Sequence, residues 1–322
     1  MRVGQNPAKS VDNVAKPARV TVAIVNYIPF LGGYYAQSLE VLKACLESLW
    51  QNTDLPYDLL VFDNASCPEV RAYLSEAAEQ GRIQFLLLSD KNIGKGGAWN
   101  IIFGGAPGEV VAYADSDIYF FPGWLSAELQ VLETFHEAGM VTGIPMWSPE
   151  EFSTSTIRWA ESHPGACLER GQFLPWEDYW RHLRSLGYDE ESSRGYYASH
   201  EFTRLTYNGM KYFVGAGHFQ FLAPRKALRS ALPIPSERPM GQVRSLDIAL
   251  NANGYLRLST SEWWVQHMGN TLQDWEGPLA QAGAGSMHSK PQYKKMKLLA
   301  WKPVHRLLTW THDRTFKILY RG

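Results

Sequence analysis

Apolar runs that stop at polar side chains alternate with segments of helical period through the first third of the chain. Residues 18–30, ARVTVAIVNYIPF, form a β-branched apolar run ending in polar Asn26, the pattern of a strand buried on both faces of a sheet. In 38–53, Leu39, Leu42, Leu46 and Leu49 recur at helical spacing, so a helix packs back on that sheet. YDLLVFDNAS (57–66) reads as a second strand ending in Asp63-Asn64. PEVRAYLSEAAEQG (68–81) opens with Pro and stops at Gly, as a helix does. IQFLLLS (83–89) is a third strand, and after the loop DKNIGKGG a short helix fits AWNIIFGG. EVVAYADSDIYFFP (109–122) carries a fourth strand that breaks into Asp115-Ser116-Asp117. Alternating strands and helices specify a mostly parallel sheet with right-handed crossovers.

The second half loses this rhythm. Residues 146–212 are rich in Trp, Tyr, Glu and Arg with weak periodicity, an insertion or cap over the strand ends. YFVGAGHFQFLAP (212–224) is strand-like, with Gly215 and Gly217 where a ligand or backbone comes close. SLDIALNANGYLRLST (245–260) reads as a helix stopped by Gly254 and then a strand, and EWWVQHMGN (262–270) ends the globular part.

Composition narrows the class. With 322 residues, 45% hydrophobic and 20% charged, the chain has an ordinary globular make-up and length enough for a large core. A net charge of -1 argues against nucleic acid as the main partner. Cys45, Cys67 and Cys167 are odd in number and scattered, so no disulfide framework or zinc site is suggested and a reducing cytoplasm is expected. Residues 1–18 are polar, with two prolines and no apolar core, and read as a flexible leader rather than a signal peptide. No apolar run is long enough to span a membrane.

Four strand ends carry polar residues: Asn26, Asp63-Asn64, Asn92 and Asp115-Ser116-Asp117. In a parallel sheet they share one rim, where ligands of open α/β sheets bind, and build a trough suited to a nucleotide and its metal. Two carboxylates at a buried strand end are costly unless a cation neutralises them, and a hard divalent ion would account for both. For Asp-x-Asp and for Asp63-Asn64 the plain alternative is a strand-end or Asx turn. The glycines of NIGKGGAWN let backbone approach a ligand, and the following helix N-terminus favours phosphate. The G-x-G-x-x-G pattern fails at Trp99 and again at Gln220, and the Walker pattern is absent, which disfavours dehydrogenases and P-loop enzymes.

Taken in order, VTVAIVNY, FDNAS, NIGKGGAWN and VVAYADSDIYFFPGWL resemble the family-2 glycosyltransferases of GT-A fold, well over about 20–145 and more loosely over 210–270. The resemblance implies a GT-A-like mixed, mostly parallel sheet flanked by helices, with an α-rich acceptor-side insertion. It divides the chain into a nucleotide-sugar-binding half (19–145), an acceptor-binding and catalytic half (146–270) and a tail (271–322). It also implies that Asn26, Asp63 and Asn64 hold the nucleoside of a nucleotide-sugar donor, that Asn92, Gly94 and Asn100 shape the donor pocket, and that Asp115 and Asp117 face ribose and a Mg²⁺ or Mn²⁺ ion. FVGAGHFQF, with Gly215, resembles the strand that floors the sugar pocket. Asp247 is the only candidate for the family's catalytic base, although the Glu that usually precedes it is missing; otherwise it is an acid favoured by a helix N-terminus. His267 resembles a metal-binding His of several relatives, and His218 reads as a core or sugar-pocket residue. The Gln-x-x-Arg-Trp motif of processive synthases is absent, because Ser155 stands at the Gln position before Arg158-Trp159.

The implied activity is metal-assisted, inverting transfer of one sugar to a glycan or lipid-linked acceptor, in cell-surface glycan or glycolipid assembly. The alternatives are a sugar-nucleotide nucleotidyltransferase, which usually needs a basic loop where this chain has NYIPFLGGYY, and a non-catalytic sugar-nucleotide-binding module. Residues 290–322 carry nine Lys or Arg and one acid among Trp and Leu residues, leaving -9 on the first 289. This basic amphipathic helical tail suits peripheral contact with the cytoplasmic face of a membrane, or packing on the acidic body or a second subunit of a homo-oligomer.

Overall fold

The computed structural model describes residues 3–11, 13–238 and 242–272. All of them fall in a first compact unit that runs to Trp275; the expected basic tail at 290–322 lies outside the described residues. The strands are β1 (Val20–Asn26), β2 (Tyr57–Asn64), β3 (Phe85–Ser89), β4 (Val110–Asp115), β5 (Ile118–Phe120), β6 (Ala138–Thr142), β7 (Cys167–Gly171), β8 (Phe202–Tyr207), β9 (Met210–Val214), β10 (Gln220–Pro224), β11 (Leu256–Thr260) and β12 (Val265–His267). Ten of these form one sheet in the order β3-β2-β1-β4-β10-β6-β11-β9-β8-β7, and β12 pairs with β5 in a second, two-stranded sheet. The pairings set β7, β9 and β10 against the other seven, so the sheet is mixed with most strands running one way. This is the α/β class expected, flanked by helices.

The helices are α1 (Ser38–Asn52), α2 (Pro68–Glu79), α3 (Gly94–Gly105), α4 (Trp124–Thr134), α5 (Thr154–Ser162), α6 (Trp176–Ser185), α7 (Glu190–Ser199), α8 (Arg225–Ser230) and α9 (Arg244–Ala252). On one face α3, α8 and α9 bury Trp99, Phe103, Leu228, Leu246 and Leu250 against Phe62, Tyr113 and Phe221 of the strands. Because strand side chains alternate, Gln220 points to the other face, where α4 packs. There Glu128 is fully buried, and Gln220 Nε2 donates to both of its oxygens at 2.8 Å. Burial pushes the Glu128 carboxyl up to about 8.

Three local expectations change. The helix expected over 98–105 begins at Gly94, despite three glycines in its first turns. Tertiary packing overrides their poor helix propensity: a Cβ on Gly96 would stand 2.7 Å from the Pro235 carbonyl oxygen, so a closely packed neighbour occupies that space. The run 212–224 is two strands, broken by a turn at 215–219. The insertion is not only helical, since β7 and β8 extend the main sheet as an antiparallel edge.

Candidate active site

The register brings the polar strand ends to one rim. Asn26 pairs with Asp63, Val25 with Asp115, and Asn64 with Ser89. Asn26 and Asp63 are fully buried. Asn26 Nδ2 donates to Asp63 Oδ1 (3.2 Å) and Ser66 Oγ (2.9 Å), while Asp63 Oδ2 accepts from the Ser66 N–H and from Arg71 Nε, each at 3.1 Å. Arg71 also donates to the Ser89 carbonyl, tying β3 to this end. Asp63 is thus ion-paired and turn-forming together; Asn26 Oδ1 is buried and without a partner among the described residues. Asn64 holds the next loop: its Nδ2 donates to Asn92 Oδ1 (2.9 Å), its Oδ1 accepts from the Ile93 N–H (2.9 Å), and Asn92 Oδ1 also accepts from the Gly94 N–H (2.8 Å).

The glycine-rich segment approaches its own chain. Asn100 clamps Ile234 from both sides, donating to its carbonyl (2.8 Å) and accepting from its N–H (2.7 Å). A Cβ on Gly215, at φ +122°, would stand 2.3 Å from Ser148 Cβ. These residues shape the site by packing.

One cation escaped the sequence reading. Lys95 Nζ lies 2.7 Å from Asp115 Oδ1 and 2.8 Å from Oδ2, and donates to the His218 carbonyl at 3.3 Å. The Tyr113 hydroxyl donates to the same carboxylate. Asp115 is therefore charge-compensated from within the chain. A Lys on the first turn of a helix opposite an Asp-terminated strand was the available signal; only its glycine neighbours drew notice.

Asp117 differs. The β5–β12 pairing sets His267 opposite Ile118, and His267 Nε2 lies 3.2 Å from Asp117 Oδ2. The Gly269 N–H donates to His267 Nδ1 (3.1 Å), so Nε2 is the proton-bearing nitrogen facing Asp117. Burial would raise the Asp117 carboxyl, but the His267 imidazole and, beyond it, Lys95 outweigh this and hold it below the usual range. Asp117 Oδ1 is buried with no hydrogen-bond partner among the described residues. Beside the pair stands His182 of α6, its ring 6.5 Å from that of His267. Burial pushes His182 down to about 3, so it is a neutral wall; its place in a polar, weakly periodic segment gave no signal. Among the described residues no three His, Cys, Asp or Glu side chains are grouped to hold a metal by themselves.

Asp247 lies in the first turn of α9, as expected, and is buried. It is 2% exposed, with Arg257 Nη2 2.7 Å from Oδ1 and His218 Nε2 2.8 Å from Oδ2. Arg257, also buried, donates to the carbonyls of Ala216 (2.7 Å) and Phe152 (2.9 Å). A base must reach the proton it removes, and this carboxylate is buried in ion-pair contact with Arg257 and His218, its Oδ1 making no hydrogen bond among the described residues.

A cavity of about 400 Å³ lies where the insertion meets β9 and the β11–β12 loop. Phe173, Phe213 and Trp263 line it together with Asp178, Arg204 and Glu262. Along α6, Asp178 faces this cavity and His182, one turn on, packs near His267.

The sheet rim gathers acids, amides and one lysine, and the sequence comparison identifies the family. Residues 34–194, half of the chain, match the model of glycosyl transferase family 2. The chain belongs to that family. It is 28% identical over 123 residues to an uncharacterized glycosyltransferase of Nostoc sp., covering 38% of this chain and 35% of that protein, so it spans about a third of the relative's length. Among solved structures it is similar to a mannosyltransferase of Pyrobaculum calidifontis in complex with GDP-Man and Mn²⁺ (16% identity, TM-score 0.45, 78% of this chain and 56% of that one). It is also similar to S. aureus TarS 1–349 in complex with UDP-GlcNAc (13%, 0.44, 78% and 60%).

Proposed function

We propose that the protein transfers one sugar from a nucleoside-diphosphate sugar to an acceptor hydroxyl by a single displacement with inversion. The observation that carries this reading is the carboxyl-end rim, where Asp117, His267 and the Lys95–Asp115 pair converge beside the Asn26–Asp63 network. Asp63 and Asn64 hold the loops that frame the nucleoside, and Asn92, Gly94, Asn100 and Gly215 fix the donor pocket by packing.

A divalent ion would be held by Asp117, whose buried Oδ1 has no hydrogen-bond partner among the described residues, together with His267. Such an ion, Mg²⁺ or Mn²⁺, would neutralise the diphosphate leaving group as a Lewis acid. Metal on His267 Nε2 would displace that nitrogen's proton, so ion binding should release protons. Lys95 contributes a second positive charge at the same end. On the far side the acceptor oxygen bonds to the anomeric carbon as the bond to diphosphate breaks, and the protein receives the hydroxyl proton. The aromatic and charged cavity beside α6 suits a sugar acceptor, presenting flat apolar faces and hydrogen-bonding groups together. A glycan or lipid-linked acceptor, a role in cell-surface glycan assembly and peripheral membrane contact through 290–322 belong to the same proposal. No helix among the described residues is long and apolar enough to cross a membrane.

The test is calorimetry with UDP and GDP in Mn²⁺ and in EDTA, then incubation with UDP-GlcNAc and GDP-Man. Binding that requires the ion, and release of nucleoside diphosphate, support the reading. Release of pyrophosphate would mark nucleotidyl transfer, and binding with no turnover a non-catalytic module.

A further inference from the structure

We infer that His218 takes the acceptor proton and that Asp247 is the positioning residue behind it. The inference rests on the transferase reading above. Asp247 is enclosed, with Arg257 on one oxygen and His218 on the other, so its charge reaches the trough only through the imidazole. His218 is the partner with an open edge, its side chain 20% exposed. Nε2 is 2.8 Å from the carboxylate in ion-pair contact, without a hydrogen bond among the described residues; a hydrogen on that nitrogen, turned toward Asp247, leaves the lone pair on Nδ1.

The ring is also tied to the donor side. His218 sits in the turn between β9 and β10, and its carbonyl accepts from Lys95, whose ammonium spans both Asp115 oxygens. The next carbonyl, Phe219, accepts from the Asp115 N–H at 2.8 Å. The turn therefore moves with the strand end that carries the acid triplet. The groups facing His218 are Asp247 from α9 with Arg257 of β11 behind it, Lys95 from α3, and the Trp99 ring at 6.1 Å.

Proton accounting closes on these residues. The acceptor O–H proton passes to Nδ1 as its oxygen bonds to the anomeric carbon and the nucleoside diphosphate leaves. The resulting imidazolium holds both N–H groups, with Nε2 toward Asp247, whose other oxygen lies 2.7 Å from the Arg257 guanidinium. The exposed ring edge then returns the proton to water. A histidine is suited to this because one ring nitrogen can accept a proton while the other holds one.

The experiment uses the full chain and whichever of UDP-GlcNAc or GDP-Man it turns over, with calorimetry of the matching nucleoside diphosphate alongside. His218→Gln should lower kcat by about 10²- to 10⁴-fold and leave nucleotide affinity within about twofold. The acidic limb of its kcat/KM profile should vanish, and added imidazole should partly restore turnover in His218→Ala. Asp247→Asn keeps the ring but removes its counter-charge, so the acidic limb should move to lower pH, a shift that mere loss of folded protein does not produce. A His218→Gln enzyme with full kcat, or one that keeps the limb, overturns the inference while leaving the transferase reading intact. A wild-type chain that transfers no sugar overturns both.

Discussion

Glu128→Gln tests the buried acid under the sheet. The wild-type carboxyl sits at about 8 in the fold against an ordinary value of 4.5. Below pH 4.5 both folded and unfolded chains hold the proton, and the stability of the neutral, hydrogen-bonded acid is fully present. Above it the unfolded chain ionises first, so the fold weakens by about 1.4 kcal/mol per pH unit until its own carboxyl titrates. By pH 8 roughly 4 kcal/mol has gone, a large share of a typical domain's total. Glutamine keeps an oxygen to accept from Gln220 and cannot ionise. Urea unfolding of both proteins, followed by Trp fluorescence at several pH values, reads the difference, in which every other titrating group cancels. The stability gap should widen by about 3 kcal/mol between pH 5 and 8 in favour of the variant. Parallel stability curves would show that Glu128 ionises in the fold and that burial does not govern it.

Asp117→Asn should abolish the Mn²⁺-dependent part of nucleotide binding while the melting temperature holds, and calorimetry with and without EDTA checks it. Lys95→Met should weaken UDP or GDP binding by about tenfold, because Asp115 is left as an uncompensated negative charge beside the diphosphate; unchanged affinity would remove Lys95 from the site. Arg257→Met should destabilise the fold by about 3–5 kcal/mol in urea unfolding, with Asp247 left as a buried, poorly matched charge. Asn100→Ala removes two hydrogen bonds to Ile234 and should cost about 2 kcal/mol by the same assay.

Much of the first half was legible because buried parallel strands write themselves as unbroken apolar runs, and a polar residue at each run's end marks the rim. Asn26, Asp63, Asn64 and Asp115 met there because parallel register follows from the pattern. The missing parts depend on contacts distant in sequence. Gly94 to Gly97 look like a loop until Pro235 and Ile234 close around them. β5 and β12 are three residues each, too short to show any period. Asp247 has the local signature of an exposed helix-opening acid, and only Arg257, inside the next strand, makes it a buried one.

The short β5–β12 pairing has a consequence for biosynthesis. Asp117 emerges from the ribosome long before His267, and the loop at 34–37 long before Asn270 and Thr271, which bond to Tyr34 and Gln37. A nascent chain that has completed β1 to β4 still lacks the His267 partner of Asp117. An ion bound at that pair, as proposed, would stabilise only the finished fold, and a chain cut before residue 265 keeps most of the sheet without the pairing.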